Sequence, residues 1–350
     1  MSDRLPELGK IHPEFFERVI FPRLGASDPS VLIGPRHGVD YGVIRLGEHV
    51  LALSTDPFFI APAYGWRRAA WFAFHIVVGD VAVSGLRPRY LTVDLNLPPE
   101  LDEAGLTEIW DAVHTEASRY GISVVTGHTA RYAGCAFPMV GGATIIGVGT
   151  EAELRGPHRV RPGDRVVITK GPAIEASGLL TATFPEYFRT RGGADYQQRA
   201  EALFAQMTVL DDAALARTVA GVRVMHDATE CGVWGGLVEM AQAGGYGLRL
   251  EQARIPLQPE AARTCELAGI DPFAAISEGT LLAMVAREDT ERLLDLFRAQ
   301  GILAAEIGEV RPAAEGLVRI LPDGERQPLV HPRVDPFWGK FEELLKAGAR

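Results

Sequence analysis

The chain of 350 residues has few cysteines and no segment dominated by basic charge. Its three cysteines, Cys135, Cys231 and Cys265, form no C-x-x-C pair, which argues against a disulfide framework and a structural zinc site and favours a reducing compartment. Asp and Glu (45) outnumber Lys and Arg (35), so the formal net charge is -10. Without a dense basic run, nucleic acid is not an expected partner.

Long apolar runs are also missing. The most apolar stretch, Ala69 to Val83, contains His75, Gly79 and Asp80 and is too short to span a bilayer. Met1 to Lys10 are mostly polar and do not form a basic patch followed by an apolar core, so we expect no secretory signal. These features predict a cytoplasmic protein with no membrane partner, and 47% apolar residues indicate folded domains with real cores.

Standard catalytic and phosphate-binding motifs are absent from the sequence. There is no G-x-x-x-x-G-K-[ST], and no G-x-G-x-x-G opens a helix after a strand, which excludes the P-loop and Rossmann classes. H-E-x-x-H and G-x-S-x-G are absent too, which removes the commonest metalloprotease and α/β-hydrolase signatures.

Hydrophobic periodicity predicts alternating helices and strands in both halves of the chain. The alternation lacks strict βαβ regularity, so α+β is the predicted fold class. Gly156 to Gly163, rich in proline and charge, is the best boundary candidate, giving domains at 1–155 and 156–335 and a helical tail at 336–350. The predicted helices are 14–24, 66–84, 103–120, 173–183, 233–243, 259–268, 290–300 and 335–345, and 196–220 is a predicted helical region. The predicted strands are 43–46, 50–54, 89–97, 122–126, 138–148, 164–169, 222–225, 248–250, 280–286 and 304–310.

Three aspartates stand beside apolar elements of the first half. Asp40 precedes the first predicted strand, Asp56 follows the second, and Asp80 lies within an apolar helix. An aspartate in such a helix is costly to bury unless it is paired or binds a cation, so a metal site is one interpretation. Ordinary capping of helices and turns is the alternative.

Seven short motifs follow one another along the sequence. They are Gly34-Pro35 with Asp40-x-x-Val43-Ile44, Ser54-Thr55-Asp56, Asp80-Val81-Ala82-Val83-Ser84-Gly85-x-x-Pro88, Gly127-His128-Thr129, Gly163-Asp164 with Thr169-Lys170-Gly171, His226-Asp227-Ala228-Thr229, and Glu278-Gly279. Their order resembles the AIR synthase-related superfamily, and most closely its HypE-like branch. That superfamily includes aminoimidazole ribonucleotide synthetase, selenophosphate synthetase and thiamine-monophosphate kinase. The resemblance implies a two-domain AIR synthase-like (PurM-like) architecture, a homodimer formed through the N-terminal sheet, and ATP with Mg²⁺ in a cleft between the domains.

Site residues follow from this resemblance. It implies that Asp40, Asp56 and Asp80 bind Mg²⁺, and that Asp56, Asp80 and Glu278 are catalytic. The implied cofactor-binding residues are Asp40, Thr55, Gly127, His128, Thr129, Lys170, Asp227, Thr229 and Gly232. Thr229 and Gly232 begin a helix whose N-terminus suits an anion.

Several of these positions have a structural alternative. Histidine is a poor Mg²⁺ ligand, so His128 either contacts a phosphate or is an ordinary strand-end histidine. Thr229 fits an N-cap, and Lys170 fits a solvated lysine. Cys231 follows Glu230 in the turn, but an inert buried thiol is commoner than a nucleophile.

The sequence departs from the family pattern at the proposed nucleotide site. Gly79 replaces the usual asparagine before Asp80, Tyr41 replaces a small residue, and Arg36-His37 add bulk. The family's HypE branch carries a carbamoyl group on a terminal cysteine, which this sequence does not show at its end. We therefore expect its cyanide-ligand reaction not to occur in the usual form.

The leading hypothesis is an ATP- and Mg²⁺-dependent enzyme that phosphorylates an amide, a carboxyl or a similar small acceptor. The second is a nucleotide-binding or scaffold homodimer without turnover, favoured by Gly79, Tyr41 and His128. The third is a zinc site of His128, His226 and Cys231, whose spacing is not diagnostic.

Overall fold

The computed structural model describes residue 11 and residues 13–350, so the prediction about Met1 to Lys10 lies outside the described residues. Within this part, thirteen strands form two sheets. The strands are β1 (Val31–Ile33), β2 (Gly42–Leu46), β3 (His49–Phe59), β4 (Arg87–Leu97), β5 (Ser123–Arg131), β6 (Met139–Gly149), β7 (Arg165–Thr169), β8 (Val222–Asp227), β9 (Gly247–Glu251), β10 (Leu281–Val285), β11 (Ala304–Arg311), β12 (Leu317–Ile320) and β13 (Arg326–Pro328).

Of the α-helices in the described chain, α1 precedes the first strand, α11 follows the last, and the others lie between strands. They are α1 (Pro13–Phe15), α2 (Trp66–Ala82), α3 (Glu103–Tyr120), α4 (Ile174–Thr183), α5 (Pro185–Gly192), α6 (Ala194–Glu201), α7 (Leu210–Ala216), α8 (Gly232–Gly244), α9 (Pro259–Ala268), α10 (Thr290–Ala299) and α11 (Pro336–Lys346). None of the described helices is both long and apolar enough to cross a membrane.

Both sheets are largely antiparallel. The first has the order β1-β2-β3-β6-β4-β5 and the second β13-β12-β9-β11-β7-β10-β8. Each contains one parallel pair, β4 with β5 and β9 with β12. The two mixed sheets with their helices confirm the α+β class.

The first sheet buries one face against α2. Alternate residues of β3, Val50, Ala52 and Phe58, are buried, as a strand with one covered face requires. Helix α2 is apolar nearly all round because it lies between this sheet and elements of the second half, α7 and β8. Since Ser54 and Asp56 share the covered face with these residues, the strand directs them toward α2.

The second sheet is covered on both faces. Val166 and Ile168 of β7 pack in a cluster with Leu237 of α8, whereas Val167 belongs to the core that continues to the first sheet. Two-sided burial explains why β10 is apolar throughout, with every residue buried.

Several predicted boundaries were wrong. Strand β3 continues to Phe59, so Asp56 lies inside the strand and not at its tip. Strand β5 continues to Arg131, so residues 127–129, which follow the predicted strand 122–126, belong to the strand. The predicted 14–24 helix is α1 followed by a π-helical turn and a 3₁₀ turn.

The predicted helical region over 196–220 contains α6, a 3₁₀ turn and α7. Helix α5 and the short strands β1, β12 and β13 were not predicted, because none carries a periodic run long enough to recognise.

Candidate active site

A cavity of about 690 Å³ is lined by residues from both halves of the chain. The loop before β2, strand β3 and helix α2 border it from the first half. Helix α4, the turn after β8, the loop before β10 and helix α11 border it from the second. Acidic side chains dominate its polar lining: Asp40, Asp56, Asp80, Glu175, Glu230, Glu239 and Glu278.

Strand β3 and helix α2 bring Asp56 and Asp80 together. Ser54 Oγ donates a hydrogen bond of 2.6 Å to Asp80 Oδ2. Burial of the Asp80 carboxyl group, together with the negative charges of Asp56, Asp227 and Asp40, raises the pKa of Asp80 well above its usual range. In the absence of a cation, Asp80 therefore holds its proton more tightly than an exposed aspartate.

Asp40 reaches the second half of the chain through a close backbone contact. Gly38 has φ +75, and a Cβ at this position would lie 2.3 Å from the carbonyl oxygen of Glu239 in α8. Only glycine lets the loop lie this close to the helix. The Asp40 carboxylate is then 2.5 Å from His226 Nδ1.

His226 is held between two carboxylates. Its Nδ1 faces Asp40, and its Nε2 lies 3.5 Å from Glu239 Oε2. Burial alone would lower the pKa of His226, but the charge and hydrogen bond of Asp40, followed by those of Glu239, outweigh it and raise this pKa well above its usual value. The imidazole thus places a positive charge beside Asp40.

Within the described residues, one group of three potential metal-ligating side chains has its ligand atoms within 4.8 Å of one another: Asp40, His226 and Asp227. Asp40 borders the acidic cavity, as do Asp56 and Asp80, but Asp56 and Asp80 are not members of this group. The zinc hypothesis is wrong for the described chain, because neither His128 nor Cys231 joins His226 there.

Glu278 and Glu175 are two of the acidic residues that the second half of the chain contributes to the cavity. The Glu278 backbone N–H donates to Glu175 Oε2 at 2.8 Å. Burial, opposed by this hydrogen bond, raises the pKa of Glu175 to about 8. Burial and the charges of Asp227 and Glu175 raise the pKa of Glu278 well above its usual value. Glu278 Oε1 is buried and lacks a hydrogen-bond partner among the described residues.

Three other predicted cofactor-binding residues lie at or near this cavity. Thr55 borders it, but its hydroxyl hydrogen-bonds Thr144 on β6 at 2.8 Å. Thr229 borders it as well, and its carbonyl accepts from the Gly232 N–H at 3.0 Å. The Gly232 amide is therefore already engaged in the turn that opens α8.

The remaining four predicted residues do not line the acidic cavity. Gly127, His128 and Thr129 lie on β5, where His128 Nε2 is 3.0 Å from the Tyr132 hydroxyl. Lys170 is buried and donates to Asp212 Oδ2 at 2.8 Å. It borders a separate cavity of about 760 Å³.

Helix α11 closes one side of the acidic cavity. Its N-cap Asp335 is almost fully buried, and the two carboxylate oxygens accept from the backbone N–H groups of Phe337 (2.8 Å) and Cys231 (2.6 Å). The Cys231 residue has φ +65 at the start of α8, so one carboxylate joins the first turns of two helices. Phe337 is buried, and Trp338 and Phe341 border the cavity.

Comparison with protein families identifies the family to which the chain belongs. Residues 38–149 match the AIR synthase related protein N-terminal domain, and residues 161–320 match its C-terminal domain. The chain belongs to the AIR synthase-related family. The resemblance inferred from the motifs is confirmed.

Its relatives include hydrogenase maturation proteins. A hydrogenase expression/formation protein, HupE of Azotobacter chroococcum mcd 1, is 30% identical over 81% of this chain and 82% of its own length. The carbamoyl dehydratase HypE of Azotobacter vinelandii is 30% identical over 77% and 78%. These matches place the AIR synthase-related chain in the HypE-like branch and among enzymes.

Solved structures share the two-domain fold. HypE of E. coli superimposes with a TM-score of 0.67 and 27% identity, covering 82% of this chain and 87% of that one. A HypE solved in complex with ATP gives a TM-score of 0.62 at 23% identity, covering 91% and 93%. The AIR synthase-like architecture predicted from the sequence is confirmed.

The departures from the AIR synthase-related pattern have different consequences. Tyr41 is buried outside the cavity lining, and its hydroxyl donates to the Arg155 carbonyl at 2.5 Å, so it does not narrow the cavity. Gly79 faces two acidic side chains: a Cβ there would lie 3.4 Å from Asp227 Oδ2 and 3.5 Å from Glu278 Oε1. The missing asparagine would stand next to the unpartnered Glu278 oxygen.

Three acidic residues that line this AIR synthase-related cavity were missed from the sequence, Glu175, Glu230 and Glu239, and so was Asp335, the N-cap of α11. Glu175 is the one charged residue of the otherwise apolar helix α4, which is the same signal that singled out Asp80. Asp335 precedes a proline that opens α11, a pattern typical of an N-cap, but its contact with Cys231 crosses 104 residues and leaves no local signal.

Proposed function

We propose that this protein is an Mg²⁺-dependent, ATP-using enzyme that phosphorylates the oxygen of an amide, a carboxyl or a similar group on a small acceptor. A carbamoyl dehydratase among its relatives supports an amide-type acceptor. A HypE that binds ATP with the same fold supports the choice of nucleotide.

The observation that supports the proposal most strongly is the set of buried acidic side chains at one cavity. The positively charged side chains of the protein do not balance the negative charge that these groups would carry when ionised. The carboxyl groups of Asp80, Glu175 and Glu278 all have raised pKa values because burial and neighbouring charges oppose their ionisation. The unpartnered Glu278 Oε1 adds an acceptor without a donor. Such a set favours a cation or a bound group that supplies positive charge and donors.

The donor set fits Mg²⁺ in chemical type. Asp56 and Asp80 from the first half, with Asp227 and Glu278 from the second, offer the hard carboxylate oxygens that this ion prefers. When bound, Mg²⁺ would neutralise phosphate charge and orient the nucleotide. Because these residues come from both halves of the chain, they would tie the nucleotide to both.

The protein's own residues would act mainly by position and charge. His226, protonated between Asp40 and Glu239, would hold Asp40 in place by a hydrogen bond. Arg36 and His37 at the border of the same cavity offer positive or donor groups to phosphate oxygens. No residue needs to form a covalent bond, which is typical of phosphoryl transfer.

Calorimetric titration with ATP tests the proposal. We expect binding with Mg²⁺ and at least about tenfold weaker binding without it, because carboxylate repulsion then opposes the phosphates. Asp56→Asn removes one anionic ligand and should reduce this dependence on Mg²⁺. Asp111→Asn, on the exposed face of α3, is the matched control.

Equal ATP affinity with and without Mg²⁺ would show that the carboxylates do not serve a metal. Binding without ATP turnover across a panel of amide and carboxyl acceptors would favour the scaffold alternative. The Mg²⁺ comparison does not depend on knowing the natural acceptor.

A further inference from the structure

A chain of four polar side chains connects the loop before α11 with the acidic cavity. His331 Nε2 lies 3.2 Å from Glu239 Oε1, and Glu239 Oε2 lies 3.5 Å from His226 Nε2. His226 Nδ1 in turn lies 2.5 Å from Asp40 Oδ2. Asp40 and Glu239 border the cavity, whereas His331 is not among the described residues that line it. An effect of His331 on Asp40 would therefore pass through Glu239 and His226.

The backbone fixes which ring nitrogen of His331 carries the proton. Arg333 has φ +67, and in this left-handed conformation its N–H donates to His331 Nδ1 at 2.9 Å. A ring nitrogen that accepts a hydrogen bond carries no proton, so the proton of the neutral ring is on Nε2. Because Nε2 faces Glu239, His331 is a hydrogen-bond donor to this carboxylate.

The segment from His331 to Asp335 lies along one side of α8. Asp335 Oδ2 accepts from the Cys231 N–H at 2.6 Å, and a Cβ on Gly235 would lie 3.4 Å from His331 Nε2. Cys231, Gly235 and Glu239 are four residues apart, so they follow one another along the same side of the helix. The segment thus contacts α8 at both of its ends, which limits how far the His331 ring can move away from Glu239.

Glu239 has two directions in which its carboxylate could be drawn. The side chain is 20% exposed and borders the acidic cavity, but it also lies beside His226. A cation in the cavity would attract this carboxylate away from His226. The His331 N–H favours the orientation in which Oε1 faces the loop and Oε2 faces His226.

We infer that His331 is a positioning residue for the proposed phosphoryl transfer. By donating to Glu239 it holds that carboxylate beside His226, and His226 then holds Asp40 at the cavity by its own hydrogen bond. The role of Asp40 in binding Mg²⁺-ATP, and with it the effect of His331 on that binding, rests on the proposed function. The four contacts themselves do not.

Histidine NMR on the full chain without nucleotide or Mg²⁺ tests the contacts. With the histidines labelled with nitrogen-15, we expect the wild-type His331 ring to carry its proton on Nε2. The buried His226 Nδ1–H donates to a carboxylate and should give a proton signal far downfield. His331→Phe should shift or broaden this signal, because Glu239 is then no longer held beside the other ring nitrogen. Loss of one signal in His226→Gln assigns it.

Calorimetric titration with ATP measures the consequence for binding. His331→Phe keeps a ring but has no N–H, and should weaken ATP binding in the presence of Mg²⁺ about threefold to tenfold. ATP binding without Mg²⁺ should not change, because no metal then needs Asp40.

Two further variants separate the N–H of His331 from its bulk. His331→Gln offers an amide N–H in place of Nε2–H and should return the affinity for Mg²⁺-ATP to within about twofold of wild type. His114→Phe, on the exposed face of α3, is the matched control and should change nothing. Circular dichroism verifies that each variant is folded.

A double-mutant cycle decides whether His331 acts through Glu239. Glu239→Ala removes the carboxylate that accepts from His331. In that background His331→Phe should cause no further loss of affinity for Mg²⁺-ATP, because the contact that it breaks is already absent. Losses that multiply would show that the two residues act independently and would overturn the positioning role.

Three other results would also overturn it. They are a wild-type His331 ring protonated on Nδ1, equal weakening of Mg²⁺-ATP by His331→Phe and His331→Gln, and an unchanged affinity in His331→Phe although Mg²⁺ strengthens ATP binding by the wild type. Failure of the proposed function looks different. In that case Mg²⁺ leaves the ATP affinity of the wild type unchanged, while the His226 proton signal still depends on His331.

Discussion

Replacing Glu175 by glutamine should make the stability of the protein less dependent on pH. Glu175 is buried on α4, and burial raises its pKa from an ordinary 4.5 to about 8. Between these values the folded protein holds a proton that the unfolded chain has released. Stability contributed by this group is therefore full below about pH 4.5 and is lost as the pH rises to about 8.

The size of the effect follows from the shift. Each pKa unit corresponds to about 1.4 kcal/mol, so ionising Glu175 removes at most about 5 kcal/mol across this window. Glutamine is neutral at every pH and keeps a side-chain carbonyl that can accept from the Glu278 N–H, as Glu175 does now. The variant should match wild type near pH 5 and exceed it increasingly toward pH 8.

The assay is urea unfolding without Mg²⁺ or nucleotide, followed by circular dichroism from pH 5 to pH 9. The compared quantity is the difference in midpoint between Glu175→Gln and wild type at each pH. Glu108→Gln on the exposed face of α3 measures the effect of removing one surface charge. A midpoint difference that stays constant over this range would refute the assignment of a buried proton to Glu175.

Two further predictions concern the ends of the fold. Truncation after Pro336 removes the packing of Phe337, Phe341 and Leu344. Because each buried large side chain contributes roughly 1.5–3 kcal/mol, the melting temperature of the truncated protein should fall. An unchanged melting temperature would mean that α11 is dispensable for stability. We also expect a homodimer, because Val124 and Val125 of the edge strand β5 are 40% and 54% exposed and a second copy would cover them. Sedimentation as a 37.9 kDa particle at micromolar concentration would contradict this expectation.

Many helices and strands could be predicted from the sequence because they depend on local patterns of apolar residues and glycines. Helices α3 and α9 were predicted with the bounds that the structure shows, since their apolar stripes end at left-handed glycines, Gly121 and Gly269. Strand β5 was predicted too short because its residues are exposed on both faces and show no alternation. The missing pattern has a physical cause: an edge strand without a covered face is under little pressure to alternate.

Positions of site residues were predictable where burial made a charge unusual. Asp80 stood out because the helix around it is apolar apart from His75 and the two arginines of its first turn, and Glu175 should have stood out because it is the one charged residue of α4. The pairing of Asp40 with His226 could not be predicted from spacing, since it spans 186 residues and depends on a backbone contact that only Gly38 permits. Such contacts follow from how the two halves meet, and a local pattern does not encode that.

The same arrangement links stability to ligand binding in this protein. Buried carboxyl groups with raised pKa values destabilise the folded state when they ionise, yet Asp80, Glu175 and Glu278 all face one cavity. Replacing them with neutral residues would relieve that repulsion, so their position is unfavourable for an empty site. It becomes favourable when a cation enters, because each ionised group then gains an attractive partner. The acidic cavity is therefore better explained by binding than by folding.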